Sequence, residues 1–583
     1  MTRAPVIEDA LRSAAPVEPG VDGAHDRRIA RRAAIAVGCA YALILLVIWG
    51  SFEMFSGMPG ETSFAYTSMT REGWRGFIYT ADPLRVYTNA FYHLSYLLSE
   101  ALGVTGSYVP YQIVYALLWW WRGFLIFLLV RRFCPRCEGA AYLAGALAIV
   151  HASDRALEWV GQLNQFGMIF WMLLAFYALT LVVDGRRTGR WVVPLLAACF
   201  FEYMSLWSYE SQIFLALLFP VVILVGFRQP RQRLRLAFAC WYSVPAVYIA
   251  LTFQKYASAG GRTYQESVMR QSWGVATILN DWWFNIAESL KFWTWANEGW
   301  AIPEREGARL ALVAAAIFLV GGVVILRLEQ RRDRASSLVP PLSTALALVA
   351  AGAVFLAFSF PVYLVLEQAR ALWRTQFLSA IGAALVLTSL IGLAAHALSR
   401  TMLKTAAFLA FGAVVAYFGA LGAIQRGAHF RAAWEQHRAA MIQLLHVVPN
   451  VEAETIVILT NVPRADDPFG DNLWFDMALR LAYPYLNVTG AYFYDDGAPG
   501  PGSVLKLEGD RWRWTGPKPF PPGTPVVGMA NTLVVNYERQ GPWRVLPTFP
   551  AALCERCSAS DYNPARLIRP HLAASAARRY RLG

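Results

Sequence analysis

Charge is scarce in this 583-residue sequence. Only 16% of its residues are charged, whereas 56% are hydrophobic and the mean hydropathy is +0.37. In ordinary soluble domains about a quarter of the residues are charged. The sequence also lacks low-complexity segments and any repeat in the range of about 20 to 50 residues. These deficits exclude a soluble globular domain, a disordered chain, collagen and a coiled coil, and they predict a polytopic membrane protein.

Cysteines and nucleotide or hydrolase motifs are also few. Seven cysteines are too scattered for a disulfide scaffold. Two CxxC pairs, Cys134 with Cys137 and Cys554 with Cys557, are predicted on opposite sides of the membrane, so we do not expect them to share a four-ligand zinc site. We interpret both pairs as structural. The sequence contains no Walker loop, serine-hydrolase elbow, HExxH or GxGxxG, so no such enzyme class is indicated by motif.

Apolar runs close to the length that a bilayer requires, about 20 residues, recur along most of the chain. They predict an α-helical polytopic membrane protein with about eleven transmembrane helices. The predicted spans are residues 33–50, 109–130, 138–151, 164–183, 191–208, 211–227, 236–253, 308–326, 338–360, 375–395 and 405–424.

Basic clusters between these runs indicate the topology. The positive-inside rule keeps such clusters cytoplasmic, so we interpret the net charge of +13 as topology and expect no nucleic-acid partner. The predicted location is a bacterial-type inner membrane. A cytoplasmic N-terminal segment, residues 1–32, precedes a transmembrane domain, residues 33–425, and the predicted non-cytoplasmic loops are residues 51–108, 151–165, 254–307 and 361–374.

The composition becomes polar after the last predicted span. Residues 426–583 are long enough for one small domain on the periplasmic side. An amphipathic helix from Phe430 to Leu445 and the buried strand "TIVILT" predict a small α/β fold. This domain could bind a protein partner.

Ionisable residues near membrane depth are costly and are candidates for function. In "HASDRALEWVGQLNQF", His151, Asp154, Arg155 and Glu158 would share one side of a helix, either as a site or as a salt-bridged interfacial turn. Glu210 could cap a turn, and Glu202 lies about two turns deeper. Arg122 is nine residues from Arg131 and is predicted to extend toward the cytoplasm.

Two arginines interrupt the positive-inside pattern at the last outer loop. Arg370 and Arg374 are four residues apart, and on a helix they would share one face. A pair of guanidinium groups at the membrane boundary suits a lipid phosphate. The alternative is a salt bridge to Glu367. The first outer loop adds four further charged candidates, Glu53, Glu61, Asp82 and Arg85.

The order of these features resembles the GT-C superfamily of polytopic glycosyltransferases, in particular bacterial relatives of the protein O-mannosyltransferases. The resemblance is carried by "DPLRVYTNAFYHLSYLLSEALGVTGSYVPYQIVYALLWWWRGFLIFLLVRR", "HASDRALEWVGQLNQF", "SYES", "LEQARALWR" and the segment "AAWEQHRAAMIQLLHVVPNVEAETIVILTNVP". The family keeps an Asp or Glu, often an Asp pair, in the first outer loop. This sequence has no Asp pair there, so Glu61 or Glu53 would serve.

The resemblance implies transfer of a hexose or pentose from a polyprenyl-phosphate donor to a periplasmic acceptor, which is a cell-envelope glycan, lipid or protein. Glu61 or Glu53 would be the catalytic base, and Arg370, Arg374, His151 and Glu158 would hold the donor. Trp159, Glu210, Asp82 and Arg85 would support the cavity. A divalent metal is allowed, but no residue cluster has clear ligand spacing. The alternative is a non-catalytic GT-C-like scaffold or accessory subunit of a membrane complex.

Overall fold

The computed structural model describes most of the chain. The described residues are 23–52, 77–78, 82–104, 107–135, 137–183, 191–226, 231–258, 269–271, 273–296, 304–332, 338–483, 487–502, 505–508, 511–514, 527–553 and 561–580.

Helices dominate the first three quarters of the chain. In chain order they are α1 (Gly23–Phe52), α2 (Ala90–Ala101), α3 (Val109–Phe133), α4 (Glu138–Val150), α5 (Leu163–Val183), α6 (Val192–Leu206), α7 (Ile213–Gly226), α8 (Arg231–Ser258), α9 (Val275–Leu290), α10 (Glu304–Arg332), α11 (Leu342–Phe358), α12 (Ser379–His396) and α13 (Thr401–Val447).

Eleven of the described helices match the predicted spans. Eight are long and apolar enough to cross a membrane, and α4, α6 and α7 are shorter apolar helices. Each predicted run falls on one of these helices, because a run of apolar residues buries its backbone polar groups only by forming internal hydrogen bonds. The prediction of an α-helical polytopic membrane protein is confirmed.

The end of the last span differs from its prediction. We expected a span at residues 405–424 and a separate amphipathic helix from Phe430 to Leu445, but α13 is one continuous helix of 47 residues. The residues between the two predicted segments include neither proline nor a capping glycine motif, and Gln425, Arg426 and Ala428 are all buried. The composition becomes more polar at Arg426, but the helix continues through this residue and does not end there.

Two compact units divide the described chain. The first comprises residues 1–51, 116–158 and 165–427, and the second comprises residues 52–115, 159–164 and 428–583. The first unit contains α4 to α12, and the second contains α2 and the C-terminal α/β elements. The domain boundaries proposed from the sequence stay a prediction.

Close helix crossings in the first unit depend on glycine. A Cβ atom on Gly382 of α12 would lie 2.7 Å from the carbonyl oxygen of Gly352 on α11, and one on Gly123 of α3 would lie 2.8 Å from that of Gly145 on α4. Small residues let helix backbones approach closely inside membranes. A larger residue at Gly382 or Gly123 would therefore clash with the facing backbone.

The C-terminal part of the second unit is a small α/β fold, as predicted. A four-stranded sheet has the order β3 (Thr489–Tyr494), β2 (Ile456–Val462), β7 (Thr532–Asn536) and β8 (Arg544–Val545). Strand β2 is parallel to β3 and β7, and α14 (Asn472–Ala482) connects β2 to β3. The run "TIVILT" forms most of β2. The elements are β1 (Asn450–Val451), β2 (Ile456–Val462), β3 (Thr489–Tyr494), β4 (Leu505–Glu508), β5 (Arg511–Trp514), β6 (Val527–Gly528), β7 (Thr532–Asn536), β8 (Arg544–Val545), β9 (Ile568–Arg569) and α15 (Ala574–Tyr580).

The core of this domain lies on both faces of the sheet. Val457 and Leu459 of β2 face a cluster that includes residues of α13, α14 and α15, while Ile456 and Ile458 face the other side. This explains why β2 reads as a continuous apolar run rather than an alternating one, since a parallel strand buried on both faces lacks a solvent side.

Candidate functional site

The segment after α4 is a turn rather than the helix that would align its charged residues. Residues 151–158 form no helix, and His151 is buried. The His151 Nε2 lies 3.1 Å from the carbonyl oxygen of Ser289, so Nε2 carries the hydrogen and donates it. Burial and the nearby guanidinium groups of Arg122 and Arg426 lower the pKa of His151 to about 3, which keeps the ring neutral.

Asp154 of the same turn accepts three backbone N–H groups. Its Oδ1 accepts from Ala156 at 2.8 Å and from Arg374 at 3.0 Å, and its Oδ2 accepts from Gln376 at 2.8 Å. Burial raises the pKa of Asp154 to about 6, although these hydrogen bonds and the nearby Arg426 act in the opposite direction. The carboxylate therefore connects two loops that are far apart in the sequence.

Arg122 does not extend toward the basic cluster that contains Arg131 and Arg132. It is 1% exposed, its Nη2 lies 3.4 Å from the carbonyl oxygen of Ile149, and its guanidinium stands 4.9 Å from the ring centre of Phe166. The predicted direction is therefore wrong. Side chains on a helix lean toward its N-terminus, and on α3 this direction leads away from Arg131 and toward the end of α4.

The predicted outer loop at residues 361–374 forms a short 3₁₀ turn, Tyr363–Val365, followed by an irregular segment, residues 366–378, that we call the Arg loop. Leu372 and Arg374 have positive φ angles of 53° and 64°, so the prediction that Arg370 and Arg374 share a helical face is wrong. The loop is held against residues 269–271 by a bridge between Met269 and Leu366 and by a hydrogen bond from the Arg270 N–H to the carbonyl oxygen of Val365 at 2.9 Å.

Two arginines share one carboxylate beside this loop. Arg370 donates from Nε to Oδ1 of Asp281 at 2.5 Å, and Arg270 donates to Oδ2 of the same residue. Burial raises the pKa of Asp281, but the two guanidinium groups outweigh burial and hold the pKa below its ordinary value. Arg370 therefore pairs with Asp281 rather than with Glu367, and the cluster keeps one net positive charge.

The two arginines differ in exposure. The side chain of Arg270 is 6% exposed and that of Arg370 is 45% exposed. Among the described residues, the terminal nitrogens of Arg370 make no further hydrogen bond, and its guanidinium lies 5.2 Å from the ring centre of Phe284. Arg370 thus offers a bidentate donor edge to an anion, while Arg270 supplies buried positive charge behind it.

A series of side-chain hydrogen bonds connects this cluster to His151. Ser289 accepts from His151 through its carbonyl oxygen and donates from Oγ to Oε1 of Gln376 at 2.6 Å. Gln376 donates from Nε2 to Oδ1 of Asn285 at 2.6 Å, and Asn285 donates to the carbonyl oxygen of Asp281 at 2.8 Å. The structure therefore brings together two predicted residues, His151 and Arg370, through a fully buried polar network.

Helix α9 forms one side of this network, and it buries its polar residues while it exposes several apolar ones. Asp281, Asn285 and Ser289 recur every four residues and are all buried, whereas Leu279 and Trp283 are 52% and 68% exposed. These three polar residues, Arg270 and Gln376 were not predicted from the sequence. The four-residue spacing of Asp281, Asn285 and Ser289 in an aromatic helix was the signal that could have identified those three.

Other predicted residues lie elsewhere. Asp82, Arg85 and Trp159 belong to the second unit. Asp82 accepts from the N–H of Leu84 at 2.9 Å and forms a turn before α2, while Trp159 packs at 6.0 Å from the ring of Trp474. Their predicted role in supporting a cavity stays a prediction.

Two of the remaining predicted acids belong to turns that the structure describes. Glu158 is buried at 1% exposure, and Glu210 is half-buried in the turn between α6 and α7. Glu53 and Glu61 lie outside the described residues. Arg374 belongs to the Arg loop, where its backbone N–H is bound by Asp154. The roles of these residues stay predictions.

Metal ligation finds no support in the described part of the chain. Within those residues, no group of three or more His, Cys, Asp or Glu side chains could hold a metal ion. Cys134 and Cys137 are free thiols, and Cys554 and Cys557 lie outside the described residues.

Comparison with known proteins gives no family model and no curated protein that matches. Two crystal structures of ArnT from Cupriavidus metallidurans are similar to this chain, one bound to undecaprenyl phosphate and one in the apo state. Both are 15% identical with a TM-score of 0.35, and the alignments cover 75% of this chain and 84% and 83% of those chains. Similarity at this level transfers neither an activity nor a ligand to the chain.

Proposed function

We propose that this protein is an integral-membrane glycosyltransferase that moves a sugar from a polyprenyl-phosphate donor to an acceptor on the periplasmic side. The observation that carries the proposal is the cluster of Arg270, Arg370 and Asp281, in which two guanidinium groups face one carboxylate. The resemblance to the GT-C superfamily and the apolar helices point to a lipid-linked substrate.

The charge of the cluster suits a phosphate monoester or diester. A carboxylate neutralises one arginine and leaves one positive charge, and the half-exposed guanidinium of Arg370 has the planar fork that matches phosphate oxygens. Arg270 is buried and forms an ion pair with Asp281, so it would contribute positive charge rather than contact the phosphate directly. The basic clusters in the other loops predict that this loop lies on the periplasmic side, although its own arginines are exceptions to the positive-inside rule.

The chemistry required is modest. The acceptor hydroxyl attacks the anomeric carbon, the bond from that carbon to the phosphate oxygen breaks, and the configuration inverts. The hydroxyl proton passes to a carboxylate base, for which Glu61 or Glu53 is the candidate, and the lipid phosphate leaves with its charge next to Arg370. Because phosphate is a good leaving group, no strong acid is needed. A positioned base contributes about 10² to 10⁴ in rate.

Native mass spectrometry of the detergent-purified protein tests the proposal. We expect a co-purified polyprenyl phosphate, bare or glycosylated, in the wild type and its loss in the Arg370→Ala variant. Arg431→Ala is the matched control, because Arg431 is 41% exposed and also donates from Nε to a carboxylate, that of Glu435. Added undecaprenyl phosphate serves as the probe if the endogenous lipid is lost during purification.

The outcomes separate the two candidate functions. A glycosylated carrier that is lost only with Arg370 supports a donor site, and its mass identifies the sugar class. Ordinary phospholipid alone in all three proteins, with no binding of added undecaprenyl phosphate, contradicts the proposal and favours the scaffold or accessory role. Transfer activity that persists unchanged in both Glu61→Ala and Glu53→Ala would refute the assignment of the base.

A further inference from the structure

The Arg loop has a backbone conformation that its own residues disfavour. Leu372 and Arg374 have φ angles of 53° and 64°, in the left-handed region that L-residues other than Gly, Asn and Asp rarely occupy. Trp373 lies between them. Such a conformation persists only where the surrounding structure holds it, so the loop requires an external anchor.

Asp154 and its neighbour supply that anchor. Asp154 accepts the N–H groups of Arg374 and Gln376, on the C-terminal side of Trp373, at 3.0 and 2.8 Å. On the N-terminal side, the N–H of Arg155 donates to the carbonyl oxygen of Leu372 at 2.8 Å. The strained turn is thus held from both sides by two consecutive residues.

The anchor lies close to the anion cluster. Arg370 is four residues before Arg374, and the carbonyl oxygen of its neighbour Ala369 accepts from Asn285 at 3.0 Å. Gln376 is bound to Asp154 through its backbone and to Asn285 through its side chain. Release of Asp154 would therefore loosen the same loop that presents Arg370 to an anion.

We propose that Asp154 is a positioning residue that holds the Arg loop in its strained conformation and so directs Arg370 toward the donor phosphate. Asp154 does not act as a base, because three N–H groups already occupy its two oxygens and only 2% of the residue is exposed. The connection to the donor phosphate rests on the proposed function. The anchoring of the loop does not.

Hydrogen exchange of the full-length protein in detergent tests the anchor. Asp154→Asn is nearly isosteric but replaces one acceptor oxygen with an NH₂ group, so either the N–H of Arg374 or that of Gln376 loses its acceptor. We expect the amides of residues 372–376 to exchange about tenfold faster or more, with little change elsewhere, since a hydrogen bond to a charged group is lost. The control is Asp496→Asn, an exposed residue of the C-terminal domain that accepts from Ala498 at 2.9 Å.

A second measurement needs no variant. The groups facing Asp154 include Arg426 of α13, Tyr363 and Arg374. None of these changes charge between pH 7 and 5, whereas the pKa of Asp154 lies at about 6. The N–H groups of the loop lower the pKa of Asp154, so this pKa rises further when the loop releases them while the carboxyl group stays buried, and protonation then favours the released loop. In the wild type we therefore expect exchange of residues 372–376, corrected for its intrinsic pH dependence, to be faster at pH 5 than at pH 7. Unchanged exchange in the variant, or in the wild type at pH 5 if the variant does not fold, overturns the anchor.

A double-mutant cycle connects the anchor to binding. Affinity for undecaprenyl phosphate is measured in the wild type, Asp154→Asn, Arg370→Ala and the double variant. If Asp154 acts through Arg370, each single change weakens binding about tenfold and the double change weakens it no further than Arg370→Ala alone. Additive losses refute the positioning role. Absence of binding to the wild type refutes the proposed function, while the exchange result still decides whether Asp154 anchors the loop.

Discussion

Arg370 and Asp281 are 89 residues apart in the sequence and form an ion pair with a distance of 2.5 Å between Nε and Oδ1. The pair is asymmetric, because the side chain of Asp281 is 7% exposed and that of Arg370 is 45% exposed. The carboxylate is fixed from behind by the buried Arg270. The exposed arginine is thus the member of the cluster that can change partners when an anion arrives.

This asymmetry predicts different costs for the members of the cluster. Asp281→Ala leaves the buried guanidinium of Arg270 without its carboxylate, and such a change costs about 3–5 kcal/mol. Arg370→Ala removes a half-exposed partner and should cost about 1 kcal/mol or less. Thermal unfolding in detergent measures both. Equal losses from the two substitutions would show that Arg270 does not depend on Asp281.

Protonation of Asp154 predicts a pH dependence of stability. Its pKa of about 6 in the folded protein exceeds the ordinary value of about 3.9 for the unfolded chain. The folded state therefore binds the proton more tightly, and the contribution of this group to the free energy of unfolding increases as the pH falls from about 6 toward 4. The two-unit difference corresponds to about 3 kcal/mol at most.

Comparison with Asp154→Asn isolates that contribution. The wild type should gain stability between pH 7 and pH 5 relative to the variant, which has no proton to take up at this position. Loosening of the Arg loop at pH 5 is a separate equilibrium. Unfolding exposes the carboxyl group of Asp154 to water and lowers its pKa, whereas loosening of the loop removes its N–H donors while it stays buried and raises its pKa. Identical pH profiles of the unfolding temperature in the two proteins would contradict the assignment of the raised pKa.

The helices and the strand β2 could be predicted because their signals are local. The length of an apolar run predicts directly whether a helix can span the membrane, and the continuous apolar run "TIVILT" predicts a strand that is buried on both faces. The ion pair of Asp281 with Arg370 could not be predicted, since it depends on the packing of α9 against a loop with positive φ angles. The direction of the Arg122 side chain was predicted wrongly because side chains on a helix lean toward the helix N-terminus, which on α3 is away from Arg131.

Because the carboxyl group of Glu202 on α6 is buried, we predict that replacing this residue can stabilise the protein. It is 2% exposed, and its carboxylate oxygens have no hydrogen-bond partner among the described residues. Burying a polar group without a partner costs about 1–3 kcal/mol by protein mutational data. Glu202→Leu should therefore raise the unfolding temperature, whereas Glu304→Leu, at an exposed position at the start of α10, should not. A lower unfolding temperature in Glu202→Leu would indicate that the carboxyl group has a partner that stabilises it.

The crossing of α11 and α12 predicts a sharp difference between two glycines of one helix. A Cβ atom on Gly382 would lie 2.7 Å from the Gly352 carbonyl oxygen, which belongs to a rigid backbone. One on Gly392 would meet the Pro340 ring at 3.2 Å and the Phe408 ring at an ordinary contact distance of 3.8 Å. Overpacking of this kind costs about 1–3 kcal/mol. We expect Gly382→Ala to lower the unfolding temperature.

Gly392→Ala is the matched control, because it has the same chemistry on the same helix. It should be close to neutral, since alanine favours a helix by up to about 1 kcal/mol over glycine and the proline ring can shift slightly. Because α12 follows directly on the Arg loop, Gly382→Ala should also speed amide exchange at residues 372–376, and Gly392→Ala should leave it unchanged. Equal effects of the two substitutions would mean that the close approach of α11 and α12 does not support the loop.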